Sequence, residues 1–156
     1  MKISIFVFGK TDDQYINEGI SDFVKRISFF CPIHFEYFAE PKNHGKLDPI
    51  EQMHIEADLF LKKINEHDIV VLLDEKGKNY TSLAFAKQFE QWMNSGKKRI
   101  VFIIGGAYGI HPSLKQKYNS ISLSSMTFNH QIVRLIFVEQ IYRAFTIIKG
   151  LPYHNQ

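Results

Sequence analysis

Three stretches of this 156-residue sequence carry residue types that could do chemistry. Gly105-Gly106-Ala107-Tyr108-Gly109 follows an apolar run, and missing side chains there would let a ligand approach bare backbone. The glycines lack G-x-G-x-x-G spacing, and no acid stands about 20 residues on to hold a ribose, so this is not a dinucleotide fingerprint. No Gly-Lys-Ser/Thr follows, so it is not a Walker loop. The same glycines also suit a tight strand-to-helix turn. The second stretch, Ser122-Leu123-Ser124-Ser125-Met126-Thr127-Phe128, interleaves hydroxyls with apolar side chains. It could hold an adenosine through backbone groups and apolar contact, or be a plain connector. The third is Glu139 and Arg143 on an otherwise apolar segment. They are either a simple i,i+4 ion pair or a charged cluster kept for a purpose in a place where charge is costly.

Other candidates are weaker. No two of His34, His44, His54, His67, His111, His130 and His154 have the i,i+4 spacing of a helical zinc site, so no metal is expected. Cys31 lies in Phe29-Phe30-Cys31-Pro32 and reads as core rather than nucleophile. As the lone cysteine it excludes an internal disulfide and fits a reducing, cytoplasmic compartment.

The elements that must position these residues alternate strand and helix. Strands are predicted at Ile3–Phe8, Ile33–Phe38, Ile69–Leu73, Arg99–Ile104 and Ile121–Leu123. The Ile69–Leu73 and Arg99–Ile104 runs are continuously apolar, the mark of parallel strands covered on both faces. Helices are predicted from Thr11 to the stop at Pro32, over Ile50–Ile64, Ser82–Asn94 and Gln131–Lys149, with a short piece after His111-Pro112. On the second of these Ile50, Met53, Ala57, Phe60, Leu61 and Ile64 should face inward. Asp74–Asn79 reads as a loop. The sum is a single α/β domain, residues 1–156, with a mainly parallel sheet and flanking helices. The loops after Leu73, Gly105 and Ser122 should then open at one sheet edge. The last helix is apolar on nearly every side, which predicts that it packs on a second chain as well. On that reading Phe137→Glu should yield monomers or aggregate.

Composition narrows the class. At 45% hydrophobic residues the chain is globular rather than disordered. No apolar run reaches the ~18 residues of a membrane span, and the strand-like N-terminus does not read as a signal peptide. The net charge of +3 hides an asymmetry. Residues 1–78 carry 10 Lys+Arg against 14 Asp+Glu, a net −4; residues 79–156 carry 9 against 2, a net +7. The second half therefore suits a polyanion.

Several motifs in order carry a resemblance. Ile103-Ile104-Gly105-Gly106-Ala107-Tyr108-Gly109, Leu123–His130, Val133-Arg134, Val138-Glu139-Gln140-Ile141-Tyr142-Arg143-Ala144-Phe145 and Pro152-Tyr153-His154 closely resemble the RlmH (YbeA) family. These are large-subunit ribosomal RNA pseudouridine-N3 methyltransferases of the SPOUT class. The resemblance spans the whole chain and is most specific in its C-terminal motifs. Relatives often carry Pro where Asn129 stands.

The resemblance implies a deep C-terminal trefoil knot, which pattern alone would not suggest because knots are nearly absent from folds. It also implies a homodimer, a 23S rRNA substrate on the ribosome, and S-adenosylmethionine as cofactor. The cofactor contacts it implies are Leu73, Gly105, Leu123, Ser124, Ser125, Met126, Thr127 and Phe128. N3 of a pseudouridine must lose its proton, so a base or an anion-stabilising cation is required. His130 could take the proton or contact RNA. Arg143 could stabilise the anion or a phosphate, with Glu139 orienting it. Tyr153 and His154 could close over the base. RNA contacts are expected from Lys97, Lys98, Arg99, Lys115, Lys117, Arg134 and Lys149. A SPOUT enzyme acting on tRNA and a non-catalytic ribosome-binding protein are the alternatives.

Overall fold

A computed structural model describes residues 1–155. The elements are β1 (Lys2–Phe8), α1 (Gln14–Ser28), β2 (Ile33–Phe38), α2 (Pro49–Leu61), β3 (Ile69–Asn79), α3 (Ser82–Met93), β4 (Arg99–Ile104), α4 (Pro112–Lys117), β5 (Asn119–Ser122) and α5 (Ile132–Ile148). Five strands form one sheet in the order β2-β1-β4-β3-β5, and every pairing is parallel.

Strand alternation divides the core in two. Ile3, Ile5 and Val7 of β1 and Ile100, Phe102 and Ile104 of β4 face the layer of α1, α3 and α5. Phe6, Phe8, Val101 and Ile103 face α2 and α4. Both faces are covered, which is why the interior positions of these strands are apolar, Ser4 excepted. Thr81 caps α3 by accepting the Ala84 N–H. Asp48 does the same for the Ile50 N–H ahead of α2, with Pro49 at its first position.

Three expectations need correction. Asp74–Asn79 is not simply a loop: β3 continues to Asn79. Ile121 pairs with both Leu73 and Lys78, so residues 74–77 bulge out of the ladder. The cause is Gly77, where a Cβ would stand 2.6 Å from the Ile121 carbonyl carbon. Only a glycine lets the two backbones close up there. Ile50 is not inward; it is 55% exposed in the first turn of α2, where Gln52 and Glu56 take the buried face.

The third is the expected effect of Phe137→Glu, which follows from the place of α5. It lies on the sheet with α1 on one flank and α3 on the other. Phe137 is fully buried between Phe85 and Phe102 of its own chain. Charging it would break the core whether or not the protein is a dimer. At 100° per residue the outer strip of α5 is Ile132, Ile136, Glu139, Gln140, Arg143 and Ile147, all half-buried.

Candidate active site

The sheet order sets β4, β3 and β5 side by side, so the chain leaving each one opens at the same carboxyl edge. There the segments after Leu73, Ile104 and Ser122 enclose a cleft of ≈ 660 Å³. Open α/β sheets take ligands at this edge. Its apolar wall includes Leu73, Ile104, Ile121, Leu123, Met126 and Phe128. Of the residues expected to hold the cofactor, Leu73, Gly105, Leu123, Ser124, Met126, Thr127 and Phe128 line the cleft. Ser125 is exposed and does not.

The glycine loop has its own reasons for its glycines. The Gly109 N–H donates to the Gly106 carbonyl at 3.0 Å, and Gly109 sits at φ +87. This brings the Gly109 carbonyl oxygen to 2.5 Å from where a Cβ on Gly105 would stand. The serine-rich loop is likewise self-shaped: Ser122 donates to the Ser124 carbonyl, and Ser124 accepts the Met126 N–H. The Thr127 hydroxyl donates to Glu75 at 2.6 Å and ties this loop to the β3 bulge.

Asp74 and Glu75, on that bulge, line the cleft. Burial alone would push the Asp74 carboxyl up, but its contact with Lys115 and the Lys76 N–H outweighs burial and holds it below the usual range. His130 lines the same cleft. Burial and the neighbouring Arg134 charge push its pKa below the ordinary imidazole value, so it is neutral and able to accept a proton at neutral pH.

Arg134 is the largest fully buried side chain. Its guanidinium donates to the carbonyls of Phe8 (2.6 Å), Gly9 (3.0 Å) and His130 (3.1 Å) and to the Thr11 hydroxyl (3.1 Å). Gln131 adds a second clasp, accepting the Asp12 N–H at 2.9 Å. Together they pin the start of α5, and so His130, to the β1–α1 turn. Asn129 contributes a cap, its side chain accepting the Gln131 N–H at 2.8 Å.

The remaining expected catalytic residues gather elsewhere. Arg143 donates to Glu139 at 2.7 Å, and Tyr153 donates its hydroxyl to the same oxygen at 3.0 Å. The Arg143 guanidinium lies 4.7 Å from the Tyr153 ring centre and 3.3 Å from His154 Nδ1. Burial and the Glu139 carboxylate push the Tyr153 phenol up, so it stays a neutral donor. None of these four lines the cleft of its own chain. Arg143 is ten residues along α5 from Val133 at the cleft wall, about 15 Å at the helical rise.

Comparison with known proteins now bears on the cleft. A family model described as "Predicted SPOUT methyltransferase" matches residues 1–154. The chain belongs to the SPOUT methyltransferase family. It is 46% identical to a protein of Flavobacterium psychrophilum, 45% to one of Bacteroides thetaiotaomicron and 44% to one of Parabacteroides distasonis, over the whole of each chain. All three are named "Ribosomal RNA large subunit methyltransferase H".

A SPOUT methyltransferase needs a methyl donor, and the cleft chemistry fits one. Apolar side chains and free backbone groups suit an adenine and ribose, and the exposed Glu75 suits the donor's positive charge. Among the described residues no group of three or more His, Cys, Asp and Glu could hold a metal ion. No described helix is long and apolar enough to cross a membrane.

One of the seven basic residues expected at RNA, Arg134, requires a correction. Arg134 is buried against backbone carbonyls and cannot meet RNA phosphates. Arg99 begins β4 at the opposite edge of the sheet and is bound to Asp68 and the Lys63 carbonyl. Lys97 and Lys98 precede it at that far edge. Lys115 is the one of the seven that lines the cleft, paired with Asp74. Asp74 and Glu75 are parts of the site that the sequence motifs do not single out, and Arg134 is a structural part rather than an RNA contact. For the two acids the signal was their place directly after an apolar strand.

Proposed function

We propose that this chain, acting as one domain, methylates N3 of a pseudouridine in 23S rRNA on the assembled large ribosomal subunit in the cytoplasm, using S-adenosylmethionine. The observation that carries this reading is the cleft: three separate loops meet at one sheet edge in a SPOUT chain. The names of full-length relatives supply the rRNA class. The family's trefoil knot belongs to the same reading.

When bound, S-adenosylmethionine supplies a methyl group activated by its sulfonium. The cleft would hold it with Leu73, Gly105, Leu123, Met126 and Phe128, and exclude water from the adenine. His130, neutral and beside the cleft, takes the N3 proton as the imide becomes the nucleophile. Arg143 stabilises the imide anion, with Glu139 fixing its plane and Tyr153 and His154 covering it. Because that cluster lies off the cleft of its own chain, it would serve the cleft of a second subunit. The outer strip of α5 is the natural seam, with Ile136 outward and apolar.

Two measurements test this. Ribosomal subunits from a deletion strain should gain one methyl group, at a large-subunit pseudouridine, on incubation with the protein and labelled S-adenosylmethionine. Label in tRNA instead, or no binding of the donor at millimolar concentration, would sink the proposal. Ile136→Glu should halve the mass read by light scattering and abolish methylation while leaving the fold intact by circular dichroism. A variant that stays dimeric and active would remove the α5 seam.

A further inference from the structure

The glycine loop rests on a buried acid that the mechanism does not use. Glu56, on α2, is 3% exposed, and Gln52 one turn before it is fully buried. Gln52 donates its side-chain amide to Glu56 at 3.2 Å and accepts the Gly45 N–H at 3.0 Å. The chain is thus linked from the 41–48 loop through Gln52 to Glu56 and on to Gly106. A Cβ on Gly106 would stand 2.9 Å from both carboxylate oxygens of Glu56 and 3.3 Å from its carboxyl carbon; these are its three nearest neighbours. Gly106 has no positive φ to explain its identity. The acid beneath it does. Burial pushes the Glu56 carboxyl up, and the Gln52 amide, His44 and the Gly106 backbone oppose that push. A buried carboxylate costs stability that an apolar residue would not, so its retention asks for a role beyond packing.

We infer that Glu56 is a positioning residue for the methyl-donor cleft: its carboxylate, oriented by Gln52, fixes the Gly105–Gly109 loop from behind. The inference rests on the cleft being a donor site. It makes Gly106 a partner of Glu56 rather than a point of contact with the ligand. It also means that the 41–48 loop is felt in the cleft through Gly45.

The test is a double-variant cycle on the full chain, read by calorimetric titration with S-adenosylmethionine. Glu56→Ala should weaken binding roughly tenfold, the cost of a lost buried hydrogen bond or two. Glu56→Gln, which keeps an acceptor, should recover most of it. Gly106→Ala should weaken binding by a similar factor in the parent yet cost little more once Glu56 is Ala, because the added methyl then has room. At saturating donor the turnover of Glu56→Ala should stay within about twofold, since the reacting groups are untouched. Additive losses, or no loss in Glu56→Ala, would overturn the inference. Amide hydrogen exchange separates it from the donor reading. Exchange over Gly105–Ile110 should quicken in Glu56→Ala while the β1 and β4 amides hold. Unchanged loop exchange overturns the inference whatever the titration shows. A parent protein that takes up no donor defeats the functional proposal alone. Should Glu56→Ala not fold, Gly106→Ala is read against Glu56→Gln: Gly106→Ala should weaken binding and quicken exchange over Gly105–Ile110 while Glu56→Gln does neither, and a Gly106→Ala protein with parental binding and exchange overturns the inference.

Discussion

Arg134→Met should lower the unfolding free energy by about 3–5 kcal/mol, the largest stability loss expected from one substitution in this protein. The side chain has 1% exposure and answers four acceptors: three main-chain carbonyls and a hydroxyl. A methionine fills much of the space and satisfies none of them. The Phe8 and His130 carbonyls would be left with fewer donors beside the core, and each unsatisfied buried group costs about 1–3 kcal/mol. Arg134→Lys should recover little, because one ammonium cannot reproduce a planar fork that reaches four oxygens. Urea unfolding followed by circular dichroism gives the number. A loss under about 1 kcal/mol would mean that the β1–α1 turn finds other donors. The same variant should bind the methyl donor more weakly, because His130 and the loop before it lose their anchor.

Gly105→Val should cost roughly two orders of magnitude in S-adenosylmethionine affinity while leaving a cooperative fold, since the displaced loop would lose about two hydrogen bonds to the donor at about 0.5–1.5 kcal/mol each. A Cβ there would stand 2.5 Å from the Gly109 carbonyl oxygen and 2.9 Å from Ile110 Cγ1. The turn between Gly106 and Gly109 must therefore move, and it forms part of the cleft lining. The sheet beneath has no reason to follow, so circular dichroism and a single unfolding transition should be retained. Calorimetric titration is the readout. Affinity unchanged from the parent would show that this loop does not touch the donor.

That second case shows what was legible in the sequence and what was not. In the sequence the glycines suit room for a ligand or a tight turn. The structure gives Gly105 to the turn's own carbonyl and Gly106 to Glu56. Sequence pattern located the loop correctly but could not say which neighbour needed the space, because those neighbours come from elsewhere in the fold. Strands β2 and β4 were readable to the residue for different reasons: β2 alternates apolar and polar side chains at the sheet edge, and β4 is a short apolar run buried on both faces. The far end of β3 was not, because its pairing hangs on a close backbone approach at Gly77 rather than on side chains. Phe137 and Ile136 are adjacent and equally apolar, yet one is core and the other lies on the outer strip. Periodicity cannot separate them on a helix flanked by two others. Arg134 looked like an RNA contact because a charge on a basic half invites that reading. Only its four partners reveal a structural part.

The Arg134 clasp also has a bearing on how the protein is born. It joins the Gly9 carbonyl to a side chain 125 positions later, and β1 waits for β4 to fill its inner edge. At ~5–20 residues per second, translation leaves β1 without that clasp for roughly 6–25 s. Parallel pairing across such separations is slow in any case. A growing chain thus carries a half-built sheet with an apolar open edge, which is a natural point for chaperone attention. Val133 of α5 closes the cleft wall and Arg134 beside it anchors His130, so a chain released before α5 is made would hold an unfinished cleft.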